Sequence, residues 1–339
     1  MGPTRRKVAI LAAAAAFSPR LAWPETREPI IIADGGAIGS GPLYTRESFE
    51  RAIVEGADFL AAELVATQDG ALVAHPGREL TLTTDVADIP DFLARRTTKP
   101  GGAEGWFTEN FTLAELKTLA YRDPSARGVR ARAGEPKPTI LTLREVIAVA
   151  RAGSIQTARV IGVYPTMRDP AYFASIGLAL EGRLAEAVHA EGYDSPAAAM
   201  WVSCAEAASL KAFGSLSRVR RAQRMGAGAV PTNVDSADGI AQIQNWAQAI
   251  GPEEELALDH PSLSTDAHAS GLAVHAWASR SPRKPDDTRK ALTRLMIGGA
   301  DGVAANQPSL AVRARAEALR AIERMRPLAM RAQAASPPN

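Results

Sequence analysis

The chain has a single cysteine, Cys204, in 339 residues, which excludes an intramolecular disulfide. At this length, with 46% hydrophobic residues, packing alone can supply an adequate core. The lone thiol, inside "MWVSCAEAASL", reads as a buried core residue rather than a nucleophile. An excess of one charge is also missing. Lys and Arg number 39 against 37 Asp and Glu, a formal net charge of +2, without the clustered cationic face that a nucleic-acid footprint needs. No transmembrane segment is expected in the mature chain. The apolar run Val8–Phe17 is too short to span a bilayer, but behind Arg5, Arg6 and Lys7 it fits a signal-peptide core. Residues 1–28 are therefore expected to direct export to the periplasm, through a twin-arginine or an ordinary Sec signal. No cysteine lies there to carry a lipid anchor.

Beyond residue 28, short apolar strands alternate with amphipathic helices. Strands are expected near 29–33, 58–66, 71–75, 159–163, 199–203, 217–222, 272–277 and 301–305. Helices are expected over 46–56, 112–119, 142–151, 171–191, 205–213, 236–250, 264–270 and 286–298. This alternation predicts an α/β fold, a (β/α)8 TIM barrel over 29–315. The segment 84–139 is too long for a simple connection and is expected to be an insertion over the barrel mouth. Residues 316–339 read as a C-terminal helix and a soft tail.

Five phrases carry a specific likeness: "GADFLAAELVATQDGALVAH", "LTLTTDVADIPDFLARRTTK", "GWFTENFTLAELKTL", "IGVYPTMRDP" and "GADGVAANQPSLAVRAR". In this order they resemble the glycerophosphodiester phosphodiesterases, in particular the periplasmic type with a long insertion. The resemblance implies a TIM barrel that hydrolyses glycerophosphodiesters to glycerol 3-phosphate and an alcohol with Ca²⁺ or another divalent ion. It also implies two histidines for proton transfer or attack, carboxylates that hold the metal, and an arginine and a lysine on the phosphate. Metal and cations would stabilise charge on the phosphoryl oxygens while the histidines move protons.

Residue by residue, the resemblance meets substitutions. The family's first His-Arg pair falls on Asp34 and Gly35, and its second histidine on Pro76, followed by Gly77. Its metal carboxylates fall on Leu43, on Ala61 and Glu63, and on Thr166; its lysine falls on Arg168. Gln-Ser-Phe-Glu becomes Ser203-Cys204-Ala205-Glu206, and the final Thr-Asp becomes Ala305-Asn306. Only Glu63 and Arg168 keep the family charge. A Ca²⁺ ion takes about six to eight oxygens, so no bound cofactor is expected from this set.

These positions favour a catalytically impaired member that binds a small phosphorylated or polyol ligand at the old mouth. An active enzyme with a rearranged site would use Asp34, Glu63 and His75. His75 stands one residue before the family histidine, and alternation along a strand would turn it away from the mouth. Arg168 with Arg220 or Arg221 could clamp an anion, or these arginines could pair with Asp34 and Glu63 in place of a metal. Tyr44, Trp106, Phe107 and Trp277 could line the pocket and its roof. The Asp259-His260 and Asp266-x-His268 pairs lie outside the family's site positions, and His189 and His275 have no sequence-near partner. A further alternative is an interaction module that captures a protein partner through 98–139.

Overall fold

The computed structural model describes residues 28–38, 42–98, 102, 104–122, 137–226, 236–281 and 283–334. Residues 1–27 of the expected export segment, and 99–101, 103 and 123–136 of the expected insertion, lie outside the described residues.

Eight parallel strands close on themselves: β1 (Ile30–Asp34), β2 (Phe59–Ala66), β3 (Gly162–Met167), β4 (Trp201–Cys204), β5 (Arg220–Met225), β6 (Ala249–Pro252), β7 (Ala273–Trp277) and β8 (Gly302–Ala305). Each pairs in parallel with the next, and β8 returns to β1 through Ile30↔Gly302 and Ala33↔Ala305. Closure removes the unpaired edges of an open sheet. Helices cover the outer face, so the staves are largely buried on both sides and read as apolar, with the arginine-rich β5 as the exception. The (β/α)8 expectation therefore holds.

The barrel interior is filled by a few large rings set against small residues. Tyr164, Trp201 and Trp277 pack with Ile32, Ala61, Ala222, Ala249, Ala273 and Ala304. Alanine on five staves leaves the room that the three rings occupy. Outside, α1 (Arg46–Val54) begins at a capping box: the Thr45 hydroxyl accepts from Ser48 N–H, and the Ser48 side chain returns the contact. The same device starts Leu143–Thr157, where Thr142 and Glu145 cap one another.

Two expected elements are corrected. The strand read at 71–75 is Leu72–Ala74, an antiparallel arm on the end of β2 rather than a barrel stave. A parallel crossover takes about a dozen residues or more, and only residues 67–71 separate this arm from β2. The missing stave is β6, where a helix was expected through 236–250; that helix ends at Ile243. The apolar positions of "GIAQIQNWAQAI" run unbroken through both elements, so periodicity does not mark the change. Likewise 171–191 is two helices, Pro170–Ser175 and Leu180–Ala190. The helix Pro308–Ala334 runs through the boundary expected at 315/316, and Ala318 is still fully buried on the barrel.

The antiparallel arm leads into the insertion at the C-terminal end of β2. Its described part is packed by Trp106, whose indole N–H donates to the Phe92 carbonyl at 2.6 Å, and by Phe111 against Phe92. Glu115 caps Leu113–Leu116 and accepts two hydrogen bonds from Arg95 at 2.6 and 2.9 Å.

Candidate functional site

The C-terminal ends of the staves converge on an arginine that the sequence reading missed. Arg280, just beyond β7, forks onto Asp34 at the end of β1: Nε donates to Oδ2 and Nη2 to Oδ1, both at 2.6 Å. The same Nη2 donates to Glu63 Oε1 at 2.7 Å and to the Tyr44 hydroxyl at 3.1 Å. Arg168 Nε lies 3.3 Å from the other Glu63 oxygen. Both carboxylates are 4% exposed. Two buried anions are thus held by two guanidinium groups, the donor geometry best matched to carboxylates. Burial alone would lower the Arg280 pKa, but Asp34, Tyr44 and Glu63 raise it well above its ordinary value. Burial first, and the two carboxylates next, push the Tyr44 hydroxyl up.

Local backbone geometry sets this cluster. Gly35 has φ +73°, and a Cβ there would stand 2.8 Å from the Tyr44 ring. Tyr44 itself has φ +66°, a conformation uncommon for an aromatic residue. The position where the family resemblance places an arginine is therefore filled by the Tyr44 ring. Beside Glu63, the Thr166 and Ser203 hydroxyls bond one another at 2.7 Å, a neutral pair at a family carboxylate position.

Arg224, on β5, is a second side chain at the mouth that the sequence does not single out. Its guanidinium lies 3.6 Å from the centroid of the Trp277 ring, a cation–π stack at the mouth. Burial lowers its pKa, and nearby Asp34 and Glu63 oppose that shift. A cavity of about 360 Å³ opens between the ends of β3, β4 and β5, with Arg168, Arg224, Glu206 and Glu253 in its wall.

The remaining candidates are separated from this centre. Arg220 and Arg221, expected beside Arg168, stand at the opposite end of β5. Arg220 lies over Trp201 and donates to the Ala198 carbonyl, whereas Arg221 points outward to the Trp246 carbonyl. The reason is length: β5 starts at Arg220, so its N-terminal residues lie at the barrel floor. His75 is 1% exposed; its Nδ1–H donates to Gly77 O at 2.5 Å and its Nε2 accepts from the Thr83 hydroxyl at 2.7 Å. Burial lowers its pKa to about 4, partly offset by the Gly77 carbonyl. It is a neutral, fully engaged ring. His275 lies inside the barrel, its Nδ1 hydrogen-bonded with the Tyr164 hydroxyl at 3.0 Å. His268 pairs with Asp301 at 2.8 Å and His189 with Asp194 at 2.9 Å, both outside the mouth. Trp106 and Phe107 are buried, 6% and 3% exposed. Cys204 is fully buried, and burial pushes its thiol up to about 12, out of range for a nucleophile.

The residues at the centre do not fit a divalent ion. Asp34 and Glu63 present their oxygens to guanidinium groups, the other family ligand positions are Leu43, Ala61 and Thr166, and the described residues contain no cluster of three or more metal-ligating side chains. A cation is already in place.

Comparison with known proteins agrees with the architecture. A family model described as the glycerophosphoryl diester phosphodiesterase family matches residues 36–310. A glycerophosphodiester phosphodiesterase of Arabidopsis thaliana is 35% identical over 157 residues, covering 44% of this chain and 39% of its own. Another from Haemophilus influenzae is 25% identical over 195 residues, covering 55% and 52%. The chain thus spans about half or less of these two curated relatives. A glycerophosphoryl diester phosphodiesterase structure from Parabacteroides distasonis superposes with a TM-score of 0.63 at 14% identity, over 87% of this chain and 88% of that one. An Oleispira antarctica phosphodiesterase solved with sn-glycerol-3-phosphate gives 0.60 at 18% identity, over 84% and 96%. At such identities the structures speak for the fold, whereas the family match covers most of the sequence. The chain belongs to the glycerophosphoryl diester phosphodiesterase family.

Proposed function

We propose that this chain is a family member without phosphodiester hydrolysis, and that its barrel mouth binds a small phosphorylated or polyol ligand. The observation that carries the reading is the Arg280 guanidinium bridging Asp34 and Glu63, the carboxylates left to hold a metal. Proton transfer is equally short of groups. The family histidine positions hold Asp34 and Pro76, and His75 is buried, neutral and hydrogen-bonded at both nitrogens. Loss of each general acid or base costs about 10²–10⁴-fold, before loss of the Lewis acid is counted.

The test is release of glycerol 3-phosphate from glycerophosphocholine by the folded protein, with Ca²⁺ and again with chelator. No release above a mock purification is expected. Chelator-sensitive turnover that disappears in Glu63→Ala would replace this reading with a rearranged metal enzyme. The proposal includes export to the periplasm, supported by Arg5, Arg6, Lys7 and the run Val8–Phe17. Fractionation of expressing cells checks it; retention of the whole product in the cytoplasm would count against it.

A further inference from the structure

We propose that the C-terminal helix, where it runs past the barrel floor, docks the protein on an anionic lipid surface. The helix Pro308–Ala334 is pinned to the barrel over its first three turns. The Ser309 N–H donates to Glu55 at 3.3 Å, and Arg315 donates to the Pro29 carbonyl at 3.1 Å and to Asp58 at 3.0 Å. Pro29 and Asp58 stand just before β1 and β2, so the helix has reached the floor by Arg315. Ala311, Ala314 and Ala318 form its buried stripe. Beyond Ala318 no described residue of the helix is buried, and the turn 322–325 is exposed at every position. Residues 319–334 make about 24 Å of helix past that point.

The overrunning turns keep the amphipathic register. Ile322 and Met325 continue the line of Ala311, Ala314 and Ala318 at three- and four-residue spacing, yet they are 39% and 45% exposed. Arg313, Arg320 and Arg324 fall on the opposite side by the same period and are exposed. Arg315 pairs with Asp58 and Glu28, whereas Arg320 and Arg324 have no ion-pair partner among the described residues. Residues 319–334 hold four arginines and one glutamate, a larger positive charge than the +2 of the entire chain.

Charge and area choose the occupant of this stripe. A second copy would set the same arginines against one another, and like charges oppose that pairing. A protein partner needs about 800 Å² on each side for a stable contact; here the exposed apolar surface of the described residues rests on two side chains, each less than half exposed. An anionic bilayer asks for neither self-complementarity nor a large patch. It attracts each arginine held near its surface, roughly fivefold in affinity apiece, and takes a narrow apolar stripe into the headgroup boundary. Among the described residues no helix is long and apolar enough to cross a membrane, so this one lies on lipid rather than through it. The mouth is at the other end of the barrel, and the docking is independent of what the mouth binds.

The experiment is co-sedimentation of the full chain with vesicles of phosphatidylglycerol and phosphatidylcholine in equal parts, against phosphatidylcholine alone. Binding to the anionic vesicles only is expected, with release as NaCl rises from about 0.1 to about 0.5 M. Arg320→Gln with Arg324→Gln should weaken binding by about tenfold to thirtyfold. Ile322→Ser with Met325→Ser should weaken it by about threefold to tenfold. All four side chains are exposed, so both variants should keep the wild-type Tm, which is measured first. Equal binding to neutral vesicles, or no binding to anionic ones, overturns the proposal. Binding unchanged in both variants also overturns it and assigns lipid contact elsewhere in the chain, the basic run of Arg5, Arg6 and Lys7 included. Self-association in sedimentation velocity that the Ile322 and Met325 substitutions abolish, without lipid binding, would replace the lipid surface with a second copy.

Discussion

Replacing Arg280 by methionine tests whether its guanidinium stands in for a metal ion. The substitution keeps most of the stem and deletes four contacts at once: two to Asp34, one to Glu63 and one to Tyr44. Removing one partner of a buried ion pair costs about 3–5 kcal/mol. Two features reduce this. The Arg280 side chain is 44% exposed, and Arg168 stays 3.3 Å from Glu63. A loss of about 2–3 kcal/mol remains, which at roughly 2 °C per kcal/mol lowers Tm by about 5 °C. The second arm is diagnostic. With the guanidinium gone, Asp34 and Glu63, each 4% exposed, share one site with only Arg168 left beside Glu63. Such a site should take a divalent cation weakly. At a Kd of about 1 mM, 10 mM Ca²⁺ returns about 1.4 kcal/mol. Differential scanning calorimetry with and without Ca²⁺ should therefore show no shift for the wild type and a rise of about 3 °C for the variant. A variant as stable as the wild type, or a wild type that responds equally to Ca²⁺, would refute the reasoning.

The two buried histidines make stability fall in mild acid. Burial holds His75 and His275 at about 4, while the unfolded chain protonates near 6.5. Below that pH the unfolded state binds more protons, so stability is lost as pH falls from 6.5 towards 4. The slope is about 1.4 kcal/mol per pH unit for each ring. Urea unfolding between pH 6.5 and 4.5 should show it, and a flat profile would contradict the burial argument. His268, raised by its hydrogen bond to Asp301, acts with the opposite sign above this window. Gly35→Ala combines a left-handed φ with a Cβ only 2.8 Å from the Tyr44 ring, so a loss of about 1–3 kcal/mol is expected. An alanine variant with unchanged urea midpoint would show that the ring can move aside. Restoring the family pair as Asp34→His with Gly35→Arg should fail to generate hydrolysis, because the arginine meets the same ring; release of glycerol 3-phosphate by the double variant would disprove this.

Which features could be read from the sequence depended on how local their physics is. The staves β1, β2, β7 and β8 announce themselves because apolar runs with turn residues at both ends need no tertiary information. The stave β6 is masked by an apolar pattern continuous with the preceding helix, and Leu72–Ala74 looks like a stave until the shortness of residues 67–71 is weighed against a parallel crossover. At the site, Asp34, Glu63, Tyr44 and Trp277 follow from motif position alone. Arg224 was within reach: in "RRAQRM", residues 220, 222 and 224 share the inward face, and the last of them stands nearest the mouth. Ending the expected strand at 222 hid it. Arg280 is different in kind. It lies in "ASRSPRKP", a polar stretch that reads as a solvated loop, and its partners Asp34 and Glu63 are 246 and 217 residues away. No periodicity or spacing links such residues; only barrel closure, which sets β7 and β8 beside β1, brings them together. The substitutions at the family's site positions were therefore visible one by one in the sequence, while the cation that pairs with Asp34 and Glu63 became visible only in the fold.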